Sequence, residues 1–221
     1  MRICLLAVCL ASMGFATSVW HEGDNGEGDA GGMPGSANIT IGNGSLTDII
    51  GNLTDNTLGA DMYEIFINSP TTFSATVTGN GKDPIVNSAL YLFDVNGVGE
   101  FGNDDISPSN SLSAIPVGTT NSLAAGLYFI LIVPSGHLPA HNNKLLFGDL
   151  TGTDTVAPAV NSLVINNYLV TSNTISPADA GKGYDIELTG AEFAQIPEPA
   201  GFLLMGAGLG LFGTWKRLRA S

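Results

Sequence analysis

The densest set of groups able to do chemistry is the run Asp94-Val95-Asn96-Gly97-Val98-Gly99-Glu100-Phe101-Gly102-Asn103-Asp104-Asp105. Counted as a twelve-residue cation loop, it offers oxygen donors at positions one, three, seven and twelve, with Gly99 at the tight-turn position. Val98 stands at position five, where a ligand oxygen belongs, and the flanks read as strands, which argues against an EF-hand. A loop between strands can still gather Asp94, Asn96, Glu100, Asp104 and Asp105 around Ca²⁺, because neighbouring carboxylates repel unless a cation or solvent compensates. The same residues also suit a solvated acidic hairpin loop in which Asp and Asn act as turn formers. Calcium is one of these two expectations.

Other constellations are weaker. His137 and His141 have the spacing that places two ligands on one helical face. Pro139 lies between them in a Pro-, Gly- and Asn-rich context, so a loop is expected there instead. A nucleophilic Ser or Thr needs a base and an oxyanion hole, yet there is no Gly-x-Ser-x-Gly elbow, and His137 and His141 are the bases available in the predicted domain. Carboxylate pairs for glycoside hydrolysis have no signature in linear spacing. No catalytic residue is assigned. The triplets Asn38-Ile39-Thr40, Asn43-Gly44-Ser45 and Asn52-Leu53-Thr54 match glycosylation sequons and read as surface strand and turn residues.

The elements that must position these groups read as strands. Phe73, Ala75 and Val77 alternate with Ser74, Thr76 and Thr78, and Tyr184, Ile186 and Leu188 alternate with Asp185, Glu187 and Thr189, as in half-buried strands. Residues 62–67, 89–93, 127–133 and 163–165 are more uniformly apolar and read as central strands covered on both faces. Asn80-Gly81, Asn96-Gly97, Gly102-Asn103, Pro134-Ser135-Gly136 and Asn142-Asn143 are turn chemistry. The expected fold is all-β, an antiparallel jelly-roll-like β-sandwich over 37–195, with a signal helix before it and a transmembrane helix after it. Residues 17–36 are almost pure Gly and acid after Trp20 and read as a flexible leader or irregular entry segment.

Charge narrows the partners. The chain has 221 residues, 7 Lys and Arg against 20 Asp and Glu, and a net charge of −13. Between Glu22 and Glu198 only Lys82, Lys144 and Lys182 are positive, so nucleic acid, which is bound by Lys and Arg displacing counterions, is excluded. Residues 1–16, with Arg2, an apolar run and Gly14-Phe15-Ala16, read as a signal peptide cut by signal peptidase after Ala16. Lipidation at Cys9 is the alternative, although Val8 precedes it where a small residue is wanted. Cys4 and Cys9 both fall in that leader, so disulfides and thiol chemistry are not expected in the mature chain.

The last residues carry three features in order: Pro197-Glu198-Pro199, sixteen uncharged residues from Ala200 to Trp215, and the basic Lys216, Arg217 and Arg219. As a helix, residues 200–215 span about 24 Å, short of the ~30 Å hydrocarbon core, and the basic tail can snorkel to make up the difference. Five Gly in this stretch suit a membrane helix better than a helix in water. Pro197 and Pro199 hold the preceding segment stiff and extended, where a processing enzyme can grip it.

This arrangement resembles the PEP-CTERM sorting signal. The resemblance implies recognition by an exosortase through Pro197, Glu198 and Pro199, with residues 196–221 as the signal and Lys216, Arg217 and Arg219 as the stop-transfer tail. It also implies transient residence in the inner membrane of a Gram-negative bacterium, then transfer to the cell surface or extracellular matrix. The body is similar to bacterial pre-peptidase C-terminal domains, on Ile49-Ile50-Gly51-Asn52-Leu53, Asp61-x-Tyr63-x-Ile65, Leu90-Tyr91-Leu92-Phe93-Asp94 and Ala125-Gly126-Leu127-Tyr128-Phe129-Ile130. That resemblance implies a small β-sandwich with residues 134–183 as an insertion. The expected function is a non-enzymatic structural or adhesive module associated with exopolysaccharide. A carbohydrate-binding module, needing an aromatic platform from residues such as Trp20, Tyr91, Phe101 or Tyr168, is the alternative, and a secreted hydrolase the third reading.

Overall fold

β-branched and aromatic residues are concentrated in Asp61–Ile67, Ser88–Asp94 and Gly126–Pro134, and these three segments form the heart of the protein. The computed structural model describes residues 18–53, 59–148, 150, 153–160, 162–170 and 182–195. In chain order the strands are β1 (Val19–His21), β2 (Asn38–Ile39), β3 (Asp48–Asn52), β4 (Asp61–Ile67), β5 (Ser74–Gly79), β6 (Ser88–Asp94) and β7 (Gly99–Asn103). They continue with β8 (Ala114–Ile115), β9 (Gly126–Pro134), β10 (His137–His141), β11 (Lys144–Leu145), β12 (Asn167–Val170), β13 (Gly183–Thr189) and β14 (Ala191–Phe193). Two single-turn 3-10 helices, Asp24–Gly26 and Pro34–Ser36, are the helical elements among the described residues.

The protein is all-β. One sheet has the order β1-β3-β13-β5-β8, and a second has β14-β4-β9-β6-β7 with β2 beside β4. The sheets are mixed, not purely antiparallel as expected: β1 runs parallel to β3 and β2 parallel to β4. Both parallel strands are short and sit at edges, and a long connection separates each from the later strand it pairs with. β2 and β14 divide one edge of β4 between them, because β9 occupies the other edge over its whole length.

One core cluster joins Ile49, Val77, Ile186 and Leu188 of the first sheet to Tyr63, Ile65, Leu90, Leu92 and Ile130 of the second. A second cluster lies on the other face of β4, β6 and β9, where Met62, Tyr91, Phe93, Phe129 and Leu131 pack against Leu146, Phe147, Leu150 and Ile165. This is why β6 and most of β9 lack alternation while β5 and β13 show it: the former bury both faces and the latter one, and β4 buries both only over its first three residues, Glu64 and Phe66 being partly exposed.

Several expectations are corrected. The segment expected as a leader is part of the body: β1 pairs with β3 from Val19 to His21, and Trp20 is 1% exposed in the core. Apart from these corrections, residues 134–183, which the resemblance makes an insertion, hold β10, β11 and β12 as a three-stranded sheet whose flanking residues build the second core cluster. Residues 163–165 are not a strand, and Val164 makes only an isolated bridge to Val98. Gly102 and Asn103 end β7 instead of forming a turn, since Gly102 lies beneath the Tyr91 and Phe147 rings where a side chain would collide. Asn142 and Asn143 do form the expected turn, both with positive φ (49° and 62°), the pattern of a type I′ hairpin.

The signal peptide expected over 1–16, the apolar segment 200–215, Pro197, Glu198 and Pro199, and the basic Lys216, Arg217 and Arg219 lie outside the described residues. Among the described residues no helix is long and apolar enough to cross a membrane.

Candidate functional site

The hairpin that carries the sequence-selected calcium residues is built from β6 and β7. Its turn closes by the Gly97 N–H to the Asp94 carbonyl at 2.9 Å and the Asp94 N–H to the Val98 carbonyl at 2.8 Å, with Gly97 at φ 80°. Asp94 serves that turn: its Oδ1 accepts the N–H groups of Asn96 and Val98 at 2.9 and 2.8 Å, and its Oδ2 accepts Asn96 Nδ2 at 3.1 Å. Glu100 lies beside Asp94, while Asp104 and Asp105 follow the far end of β7. Because β7 is extended, four residues separate Glu100 from Asp104 by about 13 Å. The structure therefore pairs Asp94 with Glu100 but does not bring the five residues into one shell.

A different set of carboxylates does converge. Glu22, Asp29 and Asp61 each place an oxygen within 4.8 Å of the others. Oxygen ligands of Ca²⁺, at about 2.4 Å from the ion, span about that distance across the ion. The positions follow from the corrected topology: β1 delivers Glu22 to the sheet edge, the Gly-rich segment turns back to bring Asp29, and β4 begins at Asp61. Glu22 binds the segment to the body, its Oε1 accepting the Ala30 N–H and its Oε2 the Asn52 N–H, both at 2.9 Å. Glu27 adds a second tie, accepting the Ile39 N–H at 2.8 Å, and the Tyr168 hydroxyl donates to the Gly32 carbonyl.

Beneath these carboxylates lies a tyrosine chain. The Tyr184 hydroxyl donates to Asp61 Oδ2 at 2.7 Å and lies 2.5 Å from the Tyr63 hydroxyl. The two phenols share that hydrogen bond, in which either hydroxyl can be the donor. Burial, then Asp61 and Glu22, hold the Tyr63 phenol well above the ordinary tyrosine range; burial, then Tyr63 and Asp61, do the same for Tyr184. Both phenols thus stay neutral donors toward the acidic group. Burial raises the Glu22 carboxyl, opposed by the N–H groups of Ala30 and Asn52, reinforced by Asp29 and opposed again by Tyr63. Chemically the arrangement is an acceptor-rich oxygen cage with fixed neutral donors behind it.

No protein-family model and no curated protein matches this chain. The site must be read from its own geometry.

His137 and His141 lie on β10, not in the expected loop, because Pro139 is accommodated within a short strand. His141 Nδ1 is 2.7 Å from the Val164 carbonyl, and His137 is buried. Of the aromatics considered as a sugar platform, Trp20 and Tyr91 are inside the two cores, Tyr168 packs against the second, and Phe101 packs partly buried against the first while also lining a groove. The Glu22–Asp29–Asp61 set is absent from the sequence reading because two members lie in the supposed leader. The available signal was Trp20 next to a Gly-acid run, since an isolated large aromatic needs a core to enter.

A third acidic site predicts pH dependence. On β13, Asp185 has its carboxyl pushed up to about 6 by burial, then by Asp48 and Glu187, with His21 opposing. Glu22, Glu64 and Glu100 are displaced in the same direction, burial being the first cause in each. A carboxyl raised by folding favours the folded state fully below its unfolded pKa, and that contribution is lost as pH rises through the folded value. Thermal melts should therefore show higher stability at pH 5 than at pH 8, by several degrees. Asp185→Asn should flatten part of this difference; a melting temperature that falls steadily on acidification over this range would contradict the assignment.

Proposed function

We propose that the protein is an exported structural or adhesive module of the bacterial surface or extracellular matrix, sorted by an exosortase through residues 196–221. Its body is read as a non-enzymatic, jelly-roll-like β-sandwich associated with exopolysaccharide. The shared core of the two sheets supports the sandwich reading.

The observation that carries the sorting proposal is the backbone pairing of Gln195. The Gln195 N–H donates to the Thr40 carbonyl at 3.0 Å, and the Gln195 carbonyl accepts the Gly42 N–H at 2.9 Å. Pro197-Glu198-Pro199 begins two residues later. Backbone pairing at Gln195 ties the chain to the second sheet just before a segment whose prolines withhold N–H donors from further pairing. On this reading a processing enzyme grips the Pro-Glu-Pro segment in extended form.

Intact mass and membrane fractionation in a host with an exosortase test this. Wild-type protein should start at Thr17 and end near Pro197, and Glu198→Ala should accumulate in the membrane with its tail uncut. If both proteins retain Trp215 and the basic tail, the C-terminal segment is a permanent anchor and the sorting proposal fails. The carbohydrate-binding reading is favoured by one observation, the position of Phe101 on a surface groove.

A further inference from the structure

The groove beside the β6–β7 hairpin has a volume of about 400 Å³ and is lined by Val98, Gly99, Glu100, Phe101, Ser122 and Pro158 among others. Its origin is an interrupted ladder. Gly102 and Val156 exchange two backbone hydrogen bonds, at 2.9 and 2.8 Å. In antiparallel pairing the next such position along β7 is Glu100 opposite Pro158. Pro158 has no N–H to donate and bridges instead to Phe147, so the strand edge opens at Glu100. Glu100 is also the extra residue of a bulge, because Leu92 pairs with Phe101 while Phe93 pairs with Gly99.

The carboxylate presented there is half-buried and has no hydrogen-bond or ion-pair partner among the described residues. Burial, and after it Asp94, raises its carboxyl above the ordinary range. A cation entering the groove would relieve both effects, whereas an anion would worsen the second. Ser122 supplies a hydroxyl, and Phe101 and Pro158 supply apolar walls. The volume is at the small end for ligand sites, which suits a single-ring ligand.

We propose that this groove binds an amino sugar, with its ammonium group on the Glu100 carboxylate, a ring hydroxyl on Ser122 and its C–H face against Phe101 and Pro158. This deepens the adhesive reading by naming the polysaccharide unit recognised. Binding of the free sugar tests the groove, whereas retention of the protein on polysaccharide tests the adhesive role, so the two can fail separately.

The experiment is calorimetric titration of the full-length protein with glucosamine, glucose and N-acetylglucosamine at low salt. Glucosamine should bind at least about tenfold more tightly than the two uncharged sugars, as expected for a charge-assisted contact. Glu100→Gln should remove that preference, and Ser122→Ala should weaken all three sugars. Should Glu100→Gln fail to fold, amide chemical shifts of the wild-type protein decide: changes confined to 98–101 and Ser122 support the site, and changes elsewhere overturn it. Equal binding of the three sugars, glucosamine binding unaltered in folded Glu100→Gln, or a lysine amide binding as tightly as glucosamine would each overturn the proposal.

Discussion

Gly51→Ala should destabilise the protein by about 3 kcal/mol, through overpacking together with loss of buried hydrogen bonds. A Cβ at position 51 would lie 2.4 Å from the Tyr184 hydroxyl oxygen and 2.9 Å from that of Tyr63. Both phenols are fully buried and held by one another and by Asp61, so neither can swing away without leaving a donor or acceptor unpaired. For a domain of this size the melting temperature should fall by about 6–12 °C. The matched control is Gly35→Ala, where a Cβ would meet nothing within 4 Å and φ is not positive; its effect should stay within about 0.5 kcal/mol. Equal melting temperatures for the two variants would show that the tyrosine–carboxylate chain is not a rigid part of the fold.

Trp20→Ala should cost about 3–5 kcal/mol, the range for removing a large aromatic from a core. Trp20 is among the largest fully buried side chains, and β1 reaches its place through a parallel ladder with β3. Chemical denaturation of the full chain would give the value directly. A protein lacking residues 18–36 should do worse and show no cooperative transition, because it loses Trp20, Ala30 and the hydrogen bonds made by Glu22 and Glu27 together. A Trp20→Ala variant as stable as wild type would restore the view of this segment as a flexible leader.

Trp20 illustrates how the sequence reading erred. Local composition after Trp20 is dominated by Gly and acid, and such a stretch has no periodicity from which burial can be read. Its place was decided by partners outside the segment: Asn52 for Glu22, Ile39 for Glu27 and Tyr168 for Gly32. The five residues expected to hold calcium are close in sequence but divided by the fold. Their spacing in sequence resembled a loop, but Gly99–Asn103 pairs with β6, and pairing extends the chain and drives Asp94 and Asp104 apart.

Side-chain alternation determined, from the sequence alone, that Ser74–Gly79 and Gly183–Thr189 bury one face, and continuous apolar runs determined that β6 and most of β9 bury both, whereas β4 does so only at its start. The all-β class and the acidic character were legible for the same reason: each is a property of neighbouring residues or of composition. Only the tertiary structure decided that Glu22, Asp29 and Asp61 meet, that Tyr63 and Tyr184 stand behind them, and that Pro158 opens the β7 edge at Glu100. These juxtapositions depend on which strands become neighbours. Strand order is set by the packing of whole sheets, and no periodicity within one segment encodes it.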